Sequence, residues 1–265
     1  MTNKKYFNNL DSTRFIAFLV VFSEHVFISI NGSSLNDGLF QQTTLFFKSF
    51  AFLGLEYFFV LSSFLITWIA LEEYKRSDFF NATNFIIRRA LRVWPLYFLI
   101  VAIAYFGIAV FQYYFNGTTN TLPSIGYFLT FTVNFFTISN GTEYLFFLVF
   151  LWSISIEEQF YVFWAIILKF FIKYLKQISF ALIVVSLLFR GYYNYVELDG
   201  NMLFFHTLSI VGNFGVGSLA ALFCFNKSYF FQYFTLIPKS INALIYLSFF
   251  SLIFLYTNLD RKSTR

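Results

Sequence analysis

A bundle of transmembrane helices is the fold class this sequence predicts, and three observations predict it. Hydrophobic residues make up 58% of the 265 positions and charged residues 12%, with a mean hydropathy of +0.68. A soluble domain carries about 25% charged residues. Apolar runs of near-spanning length recur along the chain, and Lys and Arg gather in alternate loops. The whole of 1–265 therefore reads as one all-α integral membrane domain of about seven or eight spans, with the lipid bilayer as its partner and no soluble domain.

The spans are expected at about 13–32, 46–71, 94–115, 150–171, 178–192, 203–225 and 241–258. A further run over about 124–149 is broken by Asn134, Asn140-Gly141 and Glu143. It reads as a short span, a re-entrant piece or two half-helices. The first run lacks a small-x-small exit and is interrupted by Glu24-His25, so it is expected to stay as a span rather than leave as a signal peptide.

Orientation follows from the basic residues in short loops. With the amino terminus inside, twelve of the 18 Lys and Arg fall on the cytoplasmic side: Lys4, Lys5, Lys75, Arg76, Arg88, Arg89, Arg92, Lys169, Lys173, Lys176, Lys227 and Lys239. The loops left outside, 33–45, 116–123 and 191–202, contain no Lys or Arg. Keeping Lys169 to Lys176 inside requires the 116–149 stretch to return to the outer face without a net crossing. The basic tail from Asp260 to Arg265 is left outside by this count, so we expect a chain shortened at its carboxyl end rather than a miscounted span.

The 44 Phe and 18 Tyr are too many for a function to be read into each ring. The single Cys224 excludes an internal disulfide and reads as a small packing residue. There is no phosphate-binding loop, no Rossmann fingerprint and no Cys or His pair with metal spacing.

Four polar constellations interrupt the apolar runs. In the first, Arg14 and His25 lie eleven positions apart, three helical turns plus roughly 20°, so they share a face separated by a rise of roughly 16 Å. Asp11 falls on the same stripe. A titratable imidazole half-way into a bilayer faces a cavity more readily than lipid, and either does chemistry there or is satisfied by a neighbouring helix.

The second constellation is Gly54 to Leu65, where Glu56 and Ser63 are seven apart and nearly in line. Glu56 needs a partner, and His25 or Arg14 are candidates. Ser62 and Ser63 read first as small helix-contact residues. A nucleophilic serine would need a base within reach.

The third runs from Phe85 to Pro95. Arg88 and Arg92 share a face with Arg89 to the side, Trp94 reads as an interfacial anchor, and Pro95 suits the first turn of the next helix. Guanidinium forks match phosphate geometry, so a phosphorylated cofactor could dock here; ordinary positive-inside anchoring is the plainer reading.

The fourth runs from Trp152 to Tyr161. Ser153 and Glu157 are four apart, as are Glu157 and Tyr161. Two adjacent carboxylates in so apolar a stretch cannot both face lipid. Glu157 is expected to point into the bundle and Glu158 to sit in interfacial water. Outside these four, His206 is expected at the outer edge of its span.

These pieces, in this order, resemble the acyltransferase 3 family of integral membrane acyltransferases. The Leu-Asp-x-x-Arg-x10-His opening is matched by Leu10-Asp11, Arg14 and His25. The Phe-Phe-Val-Leu-Ser-Gly-Phe-Leu stretch is matched by Phe58 to Leu65, with Ser63 where the family usually has Gly. Phe85 to Pro95 matches Phe-x-x-Arg-Arg-x-x-Arg-x-x-Pro, and Trp152 to Tyr161 matches Trp-Ser-Leu-x-x-Glu-x-x-Phe-Tyr with Ile154 for Leu. Thr207 to Ala221 resembles a fifth stretch, so the likeness extends along most of the chain. The family usually has about ten spans, more than are counted here, which agrees with the expected shortening.

The resemblance implies transfer of an acyl group, commonly acetyl from cytoplasmic acetyl-CoA, to a hydroxyl of a cell-envelope carbohydrate or lipid-linked glycan. It places the protein in a bacterial plasma membrane, with acyl-CoA as donor, no metal and no nucleic-acid partner. His25 becomes the base or a transient acyl carrier, Arg14 a donor-holding or charge-stabilising group, and Glu157 a residue that orients an imidazole or binds sugar hydroxyls. Arg88, Arg89 and Arg92 stand where CoA phosphates would arrive. Asp11, Glu56, Ser62, Ser153, Glu158 and Tyr161 are supporting or substrate-binding candidates. The competing readings are a proton- or anion-coupled transporter that uses the same buried charges, and an inactive relative.

Overall fold

The computed structural model describes residues 13–22, 38–115, 122–142, 146–196 and 200–226, together with Pro238 and Ile241. His25, Asp11 and the expected last span lie outside the described residues. The described residues form helices throughout, as a lipid environment demands of a backbone that must satisfy its own polar groups. Among the described residues, five helical stretches are long and apolar enough to cross a membrane, which makes the chain an integral, multi-pass membrane protein. They are Phe52–Ser77, Ala82–Val110, Leu151–Phe170, Ile172–Tyr195 and Gly200–Phe225. The chain divides into two units, 1–61 with 223–265, and 62–222.

In the first unit, α1 (Thr13–Phe22) packs on the amino-terminal part of α2 (Gly38–Ser77). Gly54 permits the approach: a Cβ there would lie 3.1 Å from the Ala17 carbonyl oxygen and 3.1 Å from Val21 Cγ2. The Tyr57 hydroxyl donates to Thr13 Oγ1 at 2.6 Å, tying the start of α1 to the next turn of α2. Arg14, half-buried, stands one turn before Ala17. Glu56 is also half-buried and belongs to this unit.

The second unit is organised around α7 (Leu151–Phe170). In its spanning window 56% of residues are buried, against 17% for Ala82–Val110 and for Ile172–Tyr195, so α7 is the helix the others surround. Trp164 is fully buried and its indole N–H donates to Thr67 Oγ1 on α2 at 3.0 Å. Phe160 stacks face to face on Phe214 of α10 (Thr207–Phe225), with ring centres 3.9 Å apart. Ser63 donates to the Phe214 carbonyl at 2.6 Å, so where the family usually has Gly this chain uses a hydroxyl to tie α2 to α10. Ser63 thus acts in a helix contact.

The third element departs from expectation. α3 (Ala82–Phe115) begins twelve residues before the expected span, because Asn81 caps it: its Oδ1 accepts from the Asn84 N–H at 2.9 Å. A tight turn through Asp78, at φ 57°, joins it to α2. Pro95 consequently lies inside a continuous helix, not in a first turn. It leaves the Leu91 carbonyl without its usual helical donor, a loss that transmembrane helices tolerate when neighbours pack around them.

Across 122–149 the described helices are short: α4 (Ile125–Leu129), α5 (Val133–Asn140) and α6 (Phe146–Val149). The described residues here do not form one continuous span. Between α4 and α5 the chain reverses through Phe131, at φ 52°, with Thr132 N–H donating to the Tyr127 carbonyl at 2.8 Å. Asn134, one of the breaks in the apolar run, is fully buried at the centre of a polar knot. Its side-chain nitrogen donates to the Phe205 carbonyl and to Thr207 Oγ1, both at 3.2 Å. Gln159 of α7 donates to Asn134 Oδ1 at 3.0 Å and to the Phe131 carbonyl at 2.7 Å, and accepts from Thr207 at 2.6 Å. Replacing Gln159 by leucine strips partners from three groups at once, so a loss of about 2 kcal/mol is expected. A thermal melt in detergent checks this; an unshifted midpoint would show the knot to be dispensable.

The expected 203–225 span is two helices, α9 (Gly200–Phe205) and α10, broken at His206. His206 Nδ1 accepts from the Leu208 N–H at 3.1 Å, so this imidazole caps α10. A 3-10 turn, Ile172–Tyr174, leads from α7 into α8 (Leu175–Tyr195). α8 and α10 meet along small residues: Ser179 donates to Ser218 Oγ at 2.8 Å, and Ser186 to the Ser209 carbonyl at 2.6 Å.

Candidate active site

The second unit brings three of the sequence motifs together around the middle of α7. Glu157 and Glu158 differ by about 100° on the helix, so they meet different neighbours. Glu157, half-buried, accepts from Ser62 Oγ of α2 at 3.1 Å through Oε1 and from the Tyr161 hydroxyl at 2.8 Å through Oε2. The i,i+4 pairing with Tyr161 is therefore real, whereas Ser153 turns back on the Phe150 carbonyl at 2.9 Å.

Glu158 corrects the reading that put it in interfacial water. It is the more buried of the two carboxylates, with 6% of its surface exposed. Its Oε2 accepts from the Trp94 indole N–H of α3 at 3.0 Å. Oε1 has no hydrogen-bond partner among the described residues. Trp94 is accordingly more than an interfacial anchor: the residue is partly exposed, but its single side-chain polar atom is committed to a carboxylate.

The arginines divide in a way their spacing conceals. Arg88 and Arg92, the pair on one face, are both exposed, and Arg88 Nη2 lies 4.0 Å from Glu73 Oε2. Arg89, set to the side in the sequence pattern, is the one turned inward. Its guanidinium sits 5.0 Å from the centre of the Tyr161 ring and 6.0 Å from that of Phe85. Tyr161 is 3% exposed and meets Phe85 edge-on. A cation is thus laid against the ring whose hydroxyl serves Glu157, and Arg89 also interacts electrostatically with Glu158. Two carboxylates can remain in an apolar helix because Arg89, Trp94, Ser62 and Tyr161 share their charge or hydrogen bonds.

The cluster offers acceptor oxygens, a planar cation and a phenol. Such groups bind hydroxyls or amides and stabilise developing charge. Among the described residues, no group of three or more His, Cys, Asp and Glu has the arrangement of a metal site.

The family profile described as "Acyltransferase domain" matches residues 7–260, nearly the full length of the chain. The chain belongs to the acyltransferase 3 family. It is similar to the peptidoglycan O-acetyltransferase OatA of Listeria monocytogenes, with 27% identity over 194 residues, covering 69% of this chain and 27% of that protein. It is also similar to the O-acetyltransferase OatA of Staphylococcus aureus strain NCTC 8325, with 26% identity over 219 residues, covering 78% of this chain and 33% of that protein. The chain therefore spans about a quarter to a third of the length of these relatives. No solved structure matches it.

Trp94's bond, Gln159 and the Asn134 knot escaped the sequence reading. The signal for Gln159 was present, as an amide one position from two carboxylates in an apolar helix.

Proposed function

We propose that this chain is a membrane-embedded O-acyltransferase that moves an acetyl group from acetyl-CoA, arriving from the cytoplasm, to a hydroxyl of a cell-envelope glycan. The observation that carries this reading is the buried polar cluster on α7, Glu157 and Glu158 with Arg89, Trp94 and Tyr161, in a chain of this family. The Listeria relative is named for peptidoglycan, which makes peptidoglycan the first acceptor to test.

Residues 1–265 act as one integral membrane domain of a bacterial plasma membrane with a cytoplasmic amino terminus. The roles are assigned residue by residue. His25 takes the proton of the acceptor hydroxyl as its oxygen attacks the thioester carbonyl; the new C–O bond forms, the C–S bond breaks, and the CoA thiolate leaves and is protonated. Arg14, with Asp11 three positions before it in the sequence, holds the donor or stabilises the developing oxyanion. Arg88 and Arg92, exposed, take CoA phosphates, while Arg89 is divided between that task and the carboxylates. Glu157 binds sugar hydroxyls, with Ser62 and Tyr161 fixing its two oxygens. Glu56 and Ser153 support the machinery.

The test is transfer of radiolabel from acetyl-CoA into the glycan fraction of membranes that express the chain. Label above that of membranes lacking the chain is expected. Its absence, with the chain folded and present, would reject the reading and favour transport by the same charged groups.

A further inference from the structure

Glu158 is 6% exposed, yet one of its two carboxylate oxygens, Oε1, has no partner among the described residues. Buried polar atoms are nearly always paired, so an orphan in a well-packed place asks what it accepts from. Glu157, its neighbour, is satisfied on both oxygens. The asymmetry is held in place. Trp94 fixes Oε2 at 3.0 Å, and the Trp94 ring is itself clamped by Phe131 at 5.5 Å and Phe98 at 6.1 Å.

Phe131 occupies the left-handed region at φ 52°, where a bulky side chain is strained and persists only if its surroundings over-determine it. They do. Gln159 donates to its carbonyl at 2.7 Å, and Tyr97 packs on its ring at 4.8 Å. Glu158 and Gln159, adjacent on α7, thus hold the two ends of one circuit. The first receives the Trp94 N–H, and the second pins the turn whose ring presses on Trp94.

We propose that Glu158 is a substrate-binding residue whose Oε1 accepts a hydrogen bond from an O–H or N–H group of a substrate, with Trp94 and Phe131 as the positioning residues that aim it. The proposal rests on the acyltransferase reading. A glycan hydroxyl and a pantetheine amide of acyl-CoA share the required chemistry, and separate probes distinguish them.

Glu158→Gln is the informative variant. Its amide oxygen can still accept from Trp94, but its NH₂ then stands where Oε1 stood, turning an acceptor into a donor. A purely structural carboxylate survives that change; a binding one does not. The full chain and this variant, in lipid nanodiscs, are titrated with acetyl-CoA and, separately, with a soluble peptidoglycan oligosaccharide, and their thermal midpoints are compared. The variant is expected to keep its midpoint while Kd for one probe rises about tenfold and the other is unchanged. The affected probe identifies the source of the donor group. Trp94→Phe should weaken binding of the same probe by a smaller factor.

Unchanged Kd for both probes in Glu158→Gln, or no binding of either probe by the parent chain, would overturn the proposal. Binding is read without turnover, so the expected binding defect in a chain that transfers no label would reject the acyltransferase reading and leave this site standing.

Discussion

Replacement of His25 by alanine is expected to lower acetyl transfer by about 10²- to 10⁴-fold, the contribution of a positioned general base. The loss should fall on kcat, with KM for acetyl-CoA little changed, because a base acts as charge develops and not in ground-state binding. The argument rests on cost and position. An imidazole eleven residues beyond Arg14 in the same apolar run is expensive to keep in a membrane unless it is used. α1 already carries Arg14 as a helical residue and is fastened to α2 through Thr13 and Gly54, so this arginine is firmly placed within its unit. Label incorporation in membranes, with expression and thermal midpoint matched to the parent, is the measurement. Turnover within a few-fold of the parent would remove His25 from the chemistry and pass the base role to another group.

Replacement of Gly215 by leucine should produce the largest structural effect. A Cβ at Gly215 would stand 2.5 Å from the Ser179 backbone oxygen and 2.9 Å from Ile183 Cγ1, and one at Gly212 would stand 2.9 Å from Ser186 Cβ. A backbone carbonyl cannot swing aside as a side chain can, so α8 and α10 must part. Overpacking of this kind costs about 1–3 kcal/mol, and the Ser179–Ser218 and Ser186–Ser209 hydrogen bonds, worth about 1 kcal/mol each, are lost with it. The displacement would not stop there. Phe214, the preceding residue, stacks on Phe160 of α7 and accepts from Ser63 of α2, so the helix that bears both carboxylates shifts too. A lower thermal midpoint in detergent and a parallel fall in acetyl transfer are expected. A leucine variant that melts with the parent would mean that the two helices are not this close.

The motifs that supply the polar cluster on α7 were legible in the sequence, whereas the cluster's wiring was not. The Phe85–Pro95 and Trp152–Tyr161 segments were identifiable because each sets charge into an apolar run, and Ser62 stood in a third motif. Which carboxylate is most deeply buried could not be read. Glu157 and Glu158 have the same chemistry and differ by one helical step, and their fates depend on whether Ser62 of α2 or Trp94 of α3 faces them. Arg88 and Arg92 looked like the functional pair by spacing, yet Arg89 alone of the three meets Tyr161, because α3 presents that face to α7. The same limit hid Gln159, whose three partners lie 25 to 48 positions away in sequence.

Hydrophobicity along the chain was enough to establish a helical membrane protein. A bilayer leaves an apolar segment little choice but to close its hydrogen bonds within itself, and that requirement is local. The order of its charged motifs was enough to establish the family. Where α3 begins, how 122–142 folds back, and which oxygen of Glu158 is left open were decided by packing between distant segments. Those outcomes depend on contacts of a few kcal/mol between residues that no periodicity relates, so they become legible when the helices are assembled.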